Sequence, residues 1–126
     1  MKKHVVFVDL FDSNVYLFIC NRKEMISYLE KKCEIPSEEE IGKAVGFTFR
    51  FIGYNDVDYG YGIWIEKFDK TVESYSVLAH ECIHVADFIL KDRQIKEQDE
   101  NNEMLAYTFD FIYKKLLKKI RNRRKK

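Results

Sequence analysis

His80 and His84 stand four residues apart in the run SVLAHECIHVADFIL (76–90), and Glu81 directly follows the first of them. The chain has only three histidines, so two of them fall in this one stretch. On an α-helix, residues four apart point the same way, stacked one turn above the other. Two neutral imidazoles so placed have the spacing to share one zinc ion. Glu81 would lie about 100° further round the helix, within reach of a water on that ion without ligating it. An ion held this way makes its water more acidic, and the neighbouring carboxylate takes the proton; that is the chemistry of hydrolysis. The competing reading is two polar residues that fall on a core helix. It leaves Glu81 in an apolar segment with nothing to compensate its burial.

A catalytic zinc takes a third protein ligand and keeps its fourth position for water. His4 is one candidate, and a carboxylate further along the chain is another. Glu103, in ENNEMLAYTF, comes nineteen residues after His84. That gap accommodates about two more helical turns, a short connection and a return. Glu100 and Asp99 are rivals, and a glutamate in a first helical turn is also favoured by the helix dipole alone. Tyr107 shares a face with Glu103 and is better placed than Tyr75 to donate to an oxyanion, which it would stabilise together with the zinc; a core aromatic is the competing reading. Asp87, three after His84, reads as an acceptor for a ring N–H or as a solvated carboxylate. Cys82 faces away from the histidine pair and reads as a small core residue.

The elements that must position these residues are legible in outline. HVVFVDLF (4–11) and NVYLFIC (14–20), separated by Asp12 and Ser13, have the composition of a β-hairpin. A helix follows over 21–33, with Asn21 as its N-cap, and Ser37 before Glu38–Glu40 is placed to cap a short helical turn. Residues 45–53 alternate Phe47, Phe49 and Phe51 with Thr48 and Arg50, a strand with one buried face. Residues 54–62 read as a turn-rich connection and 63–68 as the next strand. The motif helix spans 71–95 with Thr71 as its cap, and its apolar character near 77–90 predicts burial on all sides. A polar connection at 96–102 leads to a second long helix over 103–120. Strands first and helices last favour an α+β fold. The expectation is one domain over 1–120, a small antiparallel sheet followed by an active-site helix and a C-terminal helix.

At 126 residues, 46% hydrophobic and 15% aromatic, the chain is long and apolar enough to bury a core of its own. Three cysteines without a CxxC pair argue against a disulfide framework and a thiolate metal site, and for a reducing, cytoplasmic compartment. No run approaches the ~18 apolar residues of a transmembrane helix. Of the 22 basic residues nine lie in 114–126, where no acidic residue occurs. Positions 1–113 are left with 13 basic against 21 acidic residues, a formal charge of −8. The basic run, which ends in the tail 121–126, complements a helix C-terminus; its sharper reading is contact with an anionic partner, be it nucleic acid, anionic lipid or an acidic protein. No aromatic interrupts it, so stacking on bases is not indicated.

The pairing of LAHECIHVADFIL with ENNEMLAYTF resembles the gluzincin-type zinc metallopeptidases, through His80, Glu81, His84, Glu103, Ala106 and Tyr107. More narrowly it is similar to small HExxH proteins of tailed phages and prophages. A weaker likeness is to the HExxH proteases that cleave phage repressors, whose usual DNA-binding domain has no counterpart here. The close match covers roughly the last third of the chain. The resemblance implies a minimal zincin-like domain with Zn2+ on His80, His84 and Glu103. Glu81 would be the general base, and a peptide or protein would be the substrate. It also implies an extended substrate paired along the edge of the strand near GIWIEKF, and a host cytoplasm as the place of action. The alternative expectation is a metal-stabilised phage binding or virion-associated protein without turnover, since a chain this short leaves little sequence for a substrate cleft.

Overall fold

Short runs rich in Val and Phe lie on either side of Asp12, and the chain folds there as expected. β1 (Lys2–Val8) and β2 (Ser13–Ile19) pair antiparallel, with Val8 opposite Ser13. In this computed structural model the residues described are 1–32, 44–52, 59–95 and 102–121. Cys33, the turn expected near Ser37, residues 54–58, Asp99, Glu100 and the tail beyond Arg121 lie outside them. The hairpin reverses through a 3₁₀ turn, Asp9–Phe11, closed by Asp12 at φ 48°, a conformation a short polar side chain tolerates. Helix α1 (Arg22–Lys32) begins at the cap expected for it: the Asn21 side-chain oxygen accepts the Glu24 N–H at 2.8 Å.

β3 (Gly46–Ile52) and β4 (Tyr59–Ile65) form a second antiparallel pair, but β4 joins β2 in parallel. The strand order is β1-β2-β4-β3. The sheet is therefore mixed where an antiparallel one was expected. Hairpins are announced by local turn residues, whereas a parallel pair needs a long connection, here one that includes α1 and β3, that leaves no local mark. β4 also starts four residues before the expected Ile63 and stops at Ile65. Gly60 and Gly62 suggest turns, yet both are strand residues that allow close approach. A Cβ on Gly60 would lie 2.4 Å from the Asn14 carbonyl oxygen, and one on Gly62 would lie 2.2 Å from the Phe49 ring.

The two faces of the sheet carry separate cores. On one, Phe18, Cys20, Phe49 and Trp64 pack against Met25 and Leu29 of α1. Trp64 donates its indole N–H to the Cys20 carbonyl at 2.9 Å, and burial pushes the Cys20 thiol up to about 11. On the other, Val6, Val15, Leu17, Ile63 and Ile65 meet α2 (Val72–Asp92) and α3 (Asn102–Arg121). Thr71 caps α2, its hydroxyl accepting the Ser74 N–H at 3.2 Å. α2 ends three residues short of the 95 expected from sequence. Gln94 turns left-handed at φ 61°, its N–H reaches the Lys91 carbonyl, and the Ile95 N–H reaches the Leu90 carbonyl. That closure usually signals itself by a glycine; here a glutamine takes the position. None of the described helices is long and apolar enough to cross a membrane.

α2 and α3 run antiparallel. Arg93, just past the end of α2, donates to the Phe11 carbonyl, and Phe11 also borders Met104 and Tyr107 near the start of α3. Further along α3, Tyr113 lies near Cys82 and Tyr75 of α2. α2 is tied to the sheet at its C-terminal end by Asp92. Arg50 of β3 donates to both carboxylate oxygens, at 2.9 and 3.0 Å, and the Tyr61 hydroxyl donates at 2.6 Å. Arg50 also lies 4.2 Å from the centre of the Phe88 ring.

The Arg50 hydrogen bonds hold the Asp92 carboxyl below its ordinary range. A carboxyl depressed by folding contributes stability above its unfolded pKa, about 3.9, and loses it as pH falls through the lower folded value. Asp92→Asn is expected to lower stability near neutrality by on the order of 1 kcal/mol, because the pair is half-exposed. The deficit should shrink below about pH 4, as read from urea midpoints at neutral and acid pH. An equal deficit at both pH values would assign the effect to packing rather than charge.

Candidate metal centre

α2 shows one side to the sheet and the other to solvent. Leu78, Glu81, Cys82, Val85, Ala86 and Ile89 are buried, whereas His80, Ile83 and His84 are exposed. The burial on all sides expected of this helix is not found, because the described fold has two helices beside each other on that face and no layer above them. The motif thus separates as its spacing predicts, with both imidazoles on the open side and the carboxylate turned under the sheet edge.

The two rings face each other across one turn. Their Nε2 atoms are 3.1 Å apart and their planes stand at 81°. Two nitrogens on one tetrahedral zinc, each at about 2.0–2.1 Å, are separated by roughly 3.3 Å. The pair therefore fits the first two positions of such an ion with a small adjustment of side-chain torsions. Without an ion, one ring must donate its Nε2–H to the lone pair of the other.

Glu81 is 6% exposed. Its Oε1 accepts the Thr48 hydroxyl proton at 2.8 Å, and the same hydroxyl lies 3.2 Å from the Glu81 backbone carbonyl. Thr48 comes from β3, one residue on from the Phe47 side chain of the opposite face. Gly46, two residues earlier on the Glu81 side, leaves the space. A Cβ there would lie 2.8 Å from Val77 Cγ1 and 3.1 Å from Glu81 Oε2. A hollow of about 310 Å³, lined by Val45, Gly46, Ser76, Val77, His80 and Glu81, opens beside the carboxylate.

The other expected site residues are not gathered there. Among the described residues no three His, Cys, Asp or Glu side chains are grouped so as to hold one ion. Glu103 is exposed in the first turn of α3, and the antiparallel packing sets that turn beside the end of α2, beyond His84. Tyr107 is 70% exposed and lines a different groove. His4 is on β1, at the opposite edge of the sheet from β3, about 14 Å away across three strand spacings. Asp87 takes the ammonium of Lys91 at 2.9 Å, and Cys82 is buried as expected, its thiol pushed well up by desolvation.

The strand containing GIWIEKF was expected to offer its edge to an extended substrate. β4 lies inside the sheet, bonded to β2 on one side and β3 on the other, so its edge is already used. The edge beside the histidine pair belongs to β3. Thr48 and Gly46 were not singled out from the sequence. The signal was present in the alternation of β3: with Phe47 and Phe49 on one face, Gly46 and Thr48 had to share the other.

Comparison with protein-family models, curated proteins and solved structures finds no match for the chain.

Removing the Thr48 hydroxyl leaves a buried carboxylate oxygen without its donor. Thr48→Val is expected to cost about 1–3 kcal/mol, with Thr48→Ser restoring most of it, as measured by urea unfolding. A Thr48→Val protein as stable as the parent would show that Glu81 does not rely on this bond.

Proposed function

We propose that the chain is a zinc-dependent hydrolase of the metallopeptidase type. The reading is carried by one observation: a carboxylate seated by Thr48 shares a hollow with His80, whose Nε2 is 3.1 Å from that of His84 on the exposed side of the same helix. His80 and His84 would hold the ion. Glu103 is the proposed third protein ligand, and its position in the first turn of α3 makes it the separable part of the proposal. Bound there, zinc would supply Lewis acidity toward a carbonyl and toward a water molecule. The residues of the chain do the rest. Glu81 accepts a proton from the attacking water and passes it to the leaving amine nitrogen, so the carboxylate is regenerated in each cycle. Thr48 keeps Oε1 in one orientation, which leaves Oε2 to handle the proton. The outer edge of β3, unpaired among the described residues, is where an extended peptide would lie beside the hollow.

A second reading, a metal-stabilised protein without turnover, is favoured by the size of the hollow. At about 310 Å³ it is at the small end of ligand sites.

The two readings part on Glu81→Gln. Under the first, this variant binds one zinc per chain as the parent does, by elemental analysis, and loses cleavage of an unstructured protein substrate by about a hundredfold or more. His84→Ala loses the metal itself. Glu103→Ala is expected to weaken zinc binding by at least about tenfold if it is a ligand. Metal that raises the melting temperature without any cleavage by the parent would establish the second reading. Metal retained in the double variant His80→Ala/His84→Ala would remove both.

A further inference from the structure

Two features noted in the sequence have no place in the metal centre, and the fold brings them together. Tyr107 and the lysines of the C-terminal helix line one groove of about 480 Å³ between α3 and the end of the β1–β2 hairpin. Its near wall is formed by Val8, Leu10 and Phe11. Its far wall is a stripe along α3 that starts at Met104 and ends at Lys118, about 21 Å long at 1.5 Å per residue. Leu10 and Tyr107, facing each other across it, are 73% and 70% exposed. Large apolar side chains opened to solvent on both sides of one cleft mark a binding surface more than scattered exposure does.

The polarity of the groove changes along its length. Met104, Tyr107 and Phe111 make the first half mainly apolar, with Thr108 and Asp110 its polar members, and Lys114, Lys115 and Lys118 make the second half cationic. Lys114 is paired with Asp110 at 3.1 Å, and Lys115 lies over the Phe111 ring. Lys118 has no ion-pair partner among the described residues, and no acidic residue occurs in the sequence beyond Asp110. A helix that lies on a membrane is polar on one side and apolar on the other along its whole length. A stripe that is apolar at one end and charged at the other, set in a concave cleft, suits a partner of matching lengthwise pattern.

We propose that this groove docks an amphipathic helix of another protein, about four turns long, whose apolar side chains lie between Leu10 and Tyr107 and whose carboxylates lie over Lys114–Lys118. The helix-in-groove mode supplies apolar burial for affinity. The lysines select for an acidic partner and set its direction in the groove. The site is independent of the metal centre and stands whether or not the chain is a hydrolase.

The test uses the full chain and fluorescein-labelled helical peptides of this length, with leucines on one face at the first end and glutamates at the other. Fluorescence anisotropy should show saturable binding that weakens with added salt. Replacing the glutamates with lysines should reduce affinity by at least about tenfold, as should Leu10→Asp or Lys118→Glu in the protein. Both protein positions are exposed, so folding should be intact by circular dichroism, and His84→Ala should leave peptide affinity unchanged. Equal binding of the acidic and basic peptides, or none of either, overturns the proposal. So does a parent protein that fills the groove by dimerising in sedimentation, with dimerisation lost in Leu10→Asp. Binding to phosphatidylglycerol-containing vesicles that Leu10→Asp abolishes, with no acidic-peptide binding, would assign the groove to lipid and overturn it as well.

Discussion

A carboxylate taken out of water must be held by something, and the arrangement around Glu81 follows from that requirement. Its side chain lies on the boundary between the buried and open sides of α2, and it meets the edge strand of the sheet rather than the sheet's apolar centre. Thr48 supplies the hydroxyl and Gly46 supplies the room. This fixes how far α2 can rotate about its axis. A rotation that buried Glu81 more deeply would strip it of Thr48, and one that freed it would expose Leu78 and Val85. With the rotation set, His80 and His84 have only the solvent side left to occupy.

The second anchor of α2 is also polar. Asp92 is held by Arg50 and Tyr61 at the far end of the same strand pair, about eleven residues, or roughly 16 Å, along the helix from Glu81. Between these two points the helix joins the core around Ile63 and Ile65 through Cys82, Val85 and Ile89. Apolar packing gives the contact most of its energy but is indifferent to small slides. Two hydrogen-bonded carboxylates at either end resist such slides, because a shift would leave each of them short of donors. β3, which supplies Thr48 and Arg50 to these anchors, is also the strand nearest the hollow that His80 lines.

The charge asymmetry of the chain has a spatial counterpart. The acidic residues belong to positions 1–113, while the uninterrupted positive run occupies the last turns of α3 and beyond. The helix dipole accounts for cations in the last turn. It does not account for Lys114 and Lys115, which lie before that turn and line the groove with Tyr107. The histidine pair and the groove draw on different parts of the fold, the first on α2 and β3, the second on α3 and the first hairpin.

Local chemistry was legible wherever the cause was local. The hairpin at Asp12, the caps at Asn21 and Thr71, the alternation of β3 and the common face of His80 and His84 all depend on residues within a few positions of one another. The tertiary structure decided what depends on distant pairs. It placed β4 beside β2, made strand residues of Gly60 and Gly62 because Asn14 and Phe49 approach them, and ended α2 at a left-handed glutamine. It also gave Glu81 its partner from a strand more than thirty residues earlier and set the first turn of α3 past His84. Spacing along one helix is fixed by its 3.6-residue period. The register of one element on another is fixed by side-chain packing between segments that no sequence window contains.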